Sequence, residues 1–225
     1  MFKSELKSIV VPQMNHAWFA GFLAYHWGNE QFDRPLLDFN SFVKAVGNHH
    51  LGYGFFDIVD FKSLDNIQIL DVFRKDCDAI VGDTMSELII KFHNVRLIKK
   101  RIGSRGGEEL KKYLDFLQNQ ITVGLTNRKI LRESFLWADR ITNLCDKVSF
   151  DFCFERPTIA KIGVFQKLGD KDQLEVEYKI ESEGVIKVNP WPFMQSEING
   201  YVQGYELDSY PQTPRPVIIP FKVMK

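Results

Sequence analysis

Gly47-Asn48-His49-His50-Leu51-Gly52-Tyr53-Gly54 sets two adjacent histidines where a helix-like segment runs into a glycine-rich turn. Upstream, Phe42, Val43 and Val46 form the core side of a helix starting near Asp38 or Asn40. Before that, Phe19, Ala20, Leu23 and Trp27 recur at three- and four-residue steps. They predict an amphipathic helix over 16–27, capped by Asn15 and ended by Gly28. Residues 8–12 are short, β-branched and closed by Pro12, the signature of a strand that pairs with something distant.

Downstream, residues 55–66 carry Asp57, Asp60 and Asp65 among aromatics without a clean period, which reads as a loop or short helical turn. A helix follows over 68–80. Asp83 caps the next, whose stripe of Met85, Leu88, Ile89 and Phe92 continues past His93 toward Leu97. Lys99, Lys100 and Arg101 suit its C-terminal end, where cations oppose the helix dipole. Gly103-Ser104-Arg105-Gly106-Gly107 reads as a flexible connection and 108–120 as helix again. Asn127 is expected to cap the longest helix, 128–147, with Ile130, Phe135, Ala138, Ile141 and Leu144 facing the core. Asp139 lies about 40° from Phe135 around that helix. A carboxylate at the edge of a buried stripe needs a cation, donors or a metal.

Beyond Pro157 the period changes from about 3.6 to about 2. Residues 158–165 and 174–180 flank Leu168-Gly169-Asp170-Lys171-Asp172 and predict a hairpin with one solvated face. Residues 185–188 and 216–223 offer further strands, and Pro190-Trp191-Pro192-Phe193 reads as a rigid turn packing aromatics on the helices. The fold class is thus α+β, mainly α. A helical part over 14–150 and a β-rich part over 155–225 are expected to form one integrated unit, 1–225, with the N-terminal strand in an antiparallel sheet.

Composition narrows the function. The 225 residues balance 29 Lys+Arg against 29 Asp+Glu, so no net field recruits nucleic acid or an anionic membrane. Nineteen Phe imply a core of large flat fillers, with room for an apolar pocket. Cys77, Cys145 and Cys153 are odd in number and lack CxxC spacing, so reduced thiols are expected. No apolar run approaches a signal peptide or membrane span, which points to the cytoplasm.

The five histidines, His16, His26, His49, His50 and His93, all fall in the helical region. A lone His, a His doublet, a later His and an Asp on a last long helix form an order that resembles the HD superfamily of metal-dependent phosphohydrolases. More closely, Asn15-His16-Ala17, Ala24-Tyr25-His26-Trp27-Gly28-Asn29, the His49-His50 segment with Gly52, Trp137-Ala138-Asp139-Arg140-Ile141 and Val188-Asn189-Pro190-Trp191-Pro192-Phe193 resemble an uncharacterised, mainly bacterial family related to it. The resemblance implies an HD-like helical bundle and a ligand set of His16, His49, His50 and Asp139. Where the superfamily has Asp this chain has His50, and where many members have Lys it has Tyr53.

Three neutral imidazoles and one carboxylate suit one divalent ion, Zn, Fe, Mn or Ni; a second would need Asp57 or Asp60. An open coordination position would lower the pKa of water from about 15.7 toward about 7. In that reading the chain hydrolyses a phosphate ester or nucleotide-like small molecule, with His93 as a substrate-facing acid, base or phosphate contact. His26 reads as a hydrogen-bonded core residue. The alternative is a non-catalytic HD-like protein that binds a small ligand or partner in a Phe-rich cavity near Phe55, Phe56 and Phe61. The blandest reading makes the histidines core hydrogen-bonding groups. Arg101, Arg105 and the adjacent glycines could cradle an anion, but lack the Lys-Ser/Thr ending of a P-loop.

Overall fold

Helices α1 (Gln13–His26) and α2 (Phe39–Gly47) cross where Gly21 faces Gly47. A Cβ on Gly21 would lie 2.5 Å from the Gly47 Cα, so a side chain there forces the two backbones apart. The contact brings His16, on α1, to the residues that leave α2. Gly21→Ala should therefore destabilise the fold by about 3 kcal/mol, the upper range of overpacking. A urea midpoint equal to that of the unsubstituted chain would refute this close approach.

This computed structural model describes residues 1–4, 6–80, 82–156, 158–181 and 184–225; the side chains at 55, 61 and 105 are outside the description. The expectations placed on Phe55, Phe61, Arg105 and the boundary at Pro157 fall outside the described residues.

The N-terminus of α1 is satisfied from a distance. Asp57 accepts from the backbone N–H of Gln13 at 2.7 Å and of Met14 at 3.4 Å, and its Oδ1 lies 3.1 Å from the N-terminal ammonium. Asn15, the expected cap, sits inside the helix and donates to the Gln203 carbonyl at 2.7 Å. Asp57 comes from the 3₁₀ segment Leu51–Ile58, which follows the His pair.

Helix α3 (Asn66–Asp78) opens on a capping box of Asp65 and Gln68. Helix α4 (Thr84–Arg105) is capped by Asp83 as expected, but runs through Gly103 and Ser104. The connection is only Gly106 and Gly107, both at positive φ. Helix α5 (Glu108–Arg128) continues past Asn127, and Lys129, at φ 54°, ends it. Helix α6 (Arg132–Cys153) therefore starts later than expected and ends well beyond Lys147.

Among the described residues seven strands form one mixed sheet in the order β1-β2-β6-β7-β5-β4-β3. They are β1 (Phe2–Lys3), β2 (Ile9–Val11), β3 (Thr158–Val164), β4 (Leu174–Ile180), β5 (Val185–Asn189), β6 (Glu197–Glu206) and β7 (Pro216–Met224). The β3–β4 hairpin pairs Thr158 with Ile180 and Val164 with Leu174. The sheet is not wholly antiparallel, because β5 and β7 run parallel. β6 was not foreseen: glycines at 200 and 204 weaken its strand pattern. Yet Gly200 leaves room for the Phe221 ring and Gly204 for the Val10 carbonyl.

β2 joins β6 through Ile9 opposite Glu206, so the N-terminal strands lie in the sheet built by the C-terminal third. The sheet meets the helices through Phe221, which stacks on Phe19 of α1 at 4.1 Å and meets Phe152 of α6 edge-on at 5.9 Å. The architecture is α+β. Among the described residues no helix is long and apolar enough to cross a membrane. All three cysteines are free and buried, and burial raises the Cys77 thiol to about 11.

Candidate metal centre

His16 from α1, His49 and His50 just beyond α2, and Asp146 from α6 bring one ligand atom each within 4.8 Å of one another. Oδ1 of Asp146 lies 3.2 Å from Nε2 of His16 and 3.4 Å from Nε2 of His49. The ring centroids of His49 and His50 are 4.1 Å apart, and each is 5.3 Å from that of His16. All four residues are buried.

Hydrogen bonding behind the rings assigns their tautomers. Nδ1 of His49 is 2.5 Å from the Val46 carbonyl, which can only accept, so Nδ1 carries the proton. Nδ1 of His16 is 2.8 Å from the Ser149 hydroxyl, whose own hydrogen is committed to the Asp146 carbonyl at 3.0 Å. That hydroxyl therefore accepts from His16. In each neutral ring Nε2 keeps its lone pair, and neither Nε2 has a hydrogen-bond partner. Two lone pairs and a carboxylate oxygen thus face one another. Arg96 lies 3.8 Å from the other carboxylate oxygen, Oδ2, but the lone pairs and Oδ1 repel one another unless a proton or cation lies among them.

His93 has the opposite tautomer. Its Nδ1 is 2.8 Å from Nη2 of Arg96, which can only donate, so Nδ1 accepts and Nε2 carries the hydrogen. This Nε2–H is buried without a partner, and the ring centroid is 4.5 Å from that of His49. His93 is therefore a fixed donor beside the cluster, and Arg96 blocks it from acting as a base through Nδ1.

Asp139 does not enter the group. Its Oδ1 accepts from Nε of Arg96 at 3.2 Å, and the carboxylate beside the histidines is Asp146, seven residues later. Two helical turns change the angular position by only about 20° but move a side chain roughly 10 Å along the axis. The face was legible, but the level along it was not. Neither Asp57, which caps α1, nor Asp60, held by the Lys62 N–H at 2.9 Å and Lys3 at 3.5 Å, joins the cluster. His26 is half-buried and hydrogen-bonds Gln195 at 2.7 Å, away from the other four histidines.

Asp76, which the sequence did not single out, stands behind His50. It is fully buried, accepts from the Gly52 N–H at 2.6 Å, and its unpartnered Oδ2 is 3.9 Å from Nδ1 of His50. A Cβ on Gly52 would strike the backbone of Asp76 and Val72, so the glycine after the His pair permits this packing.

Burial lowers the pKa of His16 and takes His50 and His93 well below the ordinary histidine value, which keeps the rings neutral. Burial opposes the charged form of Asp146, and hydrogen bonding with the His16 and His49 side chains, once a proton sits among them, holds its pKa well below the carboxylate range. Burial raises Asp76 well above that range, offset in part by the Gly52 N–H. It also raises Asp139, against the pull of Arg96.

A family described as "Protein of unknown function (DUF3891)" matches residues 2–209. The chain belongs to this family. No curated protein and no solved structure matches it. In this DUF3891 chain His50 and Asp146 also line a cavity of about 570 Å³ walled by α3, α4, α6 and β3, so the cluster opens onto space of ligand size. The cavity's cations are Arg96, Lys100, Arg101 and Lys147.

Proposed function

We propose that the chain is a metal-dependent hydrolase of phosphate esters, related to the HD superfamily, with His16, His49, His50 and Asp146 holding one divalent ion. The tautomers carry this reading: two Nε2 lone pairs and a carboxylate converge without a proton of their own. The donor set of imidazoles and a carboxylate fits Zn, Fe, Mn or Ni. Such an ion supplies Lewis acidity for attack on phosphorus.

The remaining chemistry belongs to the chain. Arg96 is fixed by Asp139 and by Asn143 at 2.6 Å, and presents a constant positive charge on the cavity wall. His93 offers a hydrogen to an oxyanion and keeps it, since its tautomer is locked by Arg96. Burial excludes bulk water around the cluster and strengthens both contacts.

Metal analysis of untagged protein purified without chelator should find one ion per chain, lost in His49→Ala together with turnover in a phosphatase and nucleotidase panel. Protein that stays metal-free when offered Mn, Fe, Ni and Zn would overturn the proposal. A fully loaded chain inactive on every ester would favour a non-catalytic ligand-binding protein instead.

A further inference from the structure

The cavity reaching out from the cluster has a divided lining. Helix α4 contributes Arg96, Lys100 and Ser104 at four-residue steps, one stripe that runs about 12 Å along the helix. Lys100 is exposed and has no ion-pair partner among the described residues. Arg101 donates to Oδ1 of Asn66 at 2.8 Å and to the Leu64 carbonyl at 2.9 Å.

Apolar side chains share the lining with these cations and with the polar Gln13, Tyr53 and Asn143. Ile69 and Phe73 come from α3, Leu97 from α4, Phe150 from α6 and Ile162 from β3. These side chains offer few hydrogen bonds to a sugar or a base. They would gain from covering hydrocarbon, at a cost only if the ligand were polar along its length.

We infer that the cavity takes a soluble phosphate ester with an apolar alkyl or aryl body, its oxyanion at the cationic side near Arg96 and Lys100 and its body against Ile69, Phe73 and Ile162. This inference deepens the hydrolase reading by naming the class of ester, and rests on it for the reacting group. A nucleotide, whose polar sugar would lie against Ile69, Phe73 and Ile162, is expected to bind less tightly than an alkyl ester of similar size.

Methyl-, butyl-, hexyl- and phenylphosphonate, whose C–P bonds resist hydrolysis, are suitable probes for calorimetry on the full chain. Affinity should rise about threefold per methylene from methyl to hexyl, as expected for burial of hydrocarbon. Lys100→Ala should weaken every member by a similar factor of about five, whereas Ile162→Ser should flatten the rise. If Ile162→Ser fails to fold, Leu97→Ser, on a second wall, makes the same test. Affinity independent of chain length, tighter binding of a nucleoside monophosphate than of hexylphosphonate, or capture on phosphatidate vesicles without binding of the monomeric probes would overturn the inference.

The titrations are run with and without chelator, and metal content is measured separately. A chain-length dependence that survives in protein unable to bind metal would sink the hydrolase reading alone. A flat series in metal-loaded protein would sink the present inference alone.

Discussion

Asp146→Asn should lower divalent-metal affinity by more than 100-fold, while Asp139→Asn leaves it within about threefold. The larger figure exceeds the 10–100-fold that loss of an outer partner produces, because Asp146 is the one carboxylate among the four converging residues. An amide at 146 keeps the shape but removes the formal negative charge that faces His16 and His49. Asp139→Asn acts elsewhere. It releases Nε of Arg96, so its effect should appear in binding of an anionic ligand and in turnover rather than in metal content. Chelator competition on both variants decides the matter, with circular dichroism to show that each is folded. Equal losses in the two would mean that the level of the site along α6 is misassigned.

That pair of aspartates also shows where the sequence stops being informative. Periodicity places both on nearly one face of α6, and motif order favoured Asp139 because it lies beside Trp137 and Ala138. What selects Asp146 is the level at which α1 crosses α6, a tertiary quantity marked by the His16–Ser149 hydrogen bond. The histidines were legible because each ends or rides a segment whose apolar spacing reads as helix. His93 was legible as a neighbour of the site, but not as a fixed donor, since its tautomer depends on Arg96, which no spacing rule linked to it. The sheet was partly legible for a related reason. The alternation along β4 is complete, with Val176, Tyr178 and Ile180 buried, whereas β6 replaces side chains by glycines so that neighbours can pack against it.

Asp76 is the clearest case of a residue invisible to pattern. It lies on α3 among ordinary helix positions, yet it is the carboxylate behind His50. Its presence bears on why an imidazole suits position 50. A carboxylate there would face a second buried carboxylate, an arrangement that penalises ionisation of both. An imidazole can instead place Nδ1–H toward Asp76 and leave Nε2 for a cation, so that negative charge reaches the ion through the ring.

Asp76→Asn should then have opposite effects on stability and metal binding. The folded pKa of Asp76 lies well above its ordinary 3.8, so the folded state holds this proton more tightly than the unfolded chain does. Its favourable contribution is complete below about pH 3.8 and is lost as pH rises through the raised folded value. At pH 7 the metal-free protein therefore carries a buried carboxyl that either ionises with only the Gly52 N–H to compensate it or holds a proton against the solution. Asparagine removes that cost and keeps an oxygen for the Gly52 N–H. The variant's metal-free form should be more stable by about 1–3 kcal/mol at pH 7, and its stability should fall less as pH rises from 4 to 7. Metal affinity should meanwhile drop 10–100-fold, because a neutral amide polarises His50 less than a carboxylate does. Urea denaturation across that pH range and chelator competition at pH 7 measure the two halves separately. A variant that is less stable at pH 7 and binds metal as tightly as before would show that Asp76 serves packing alone.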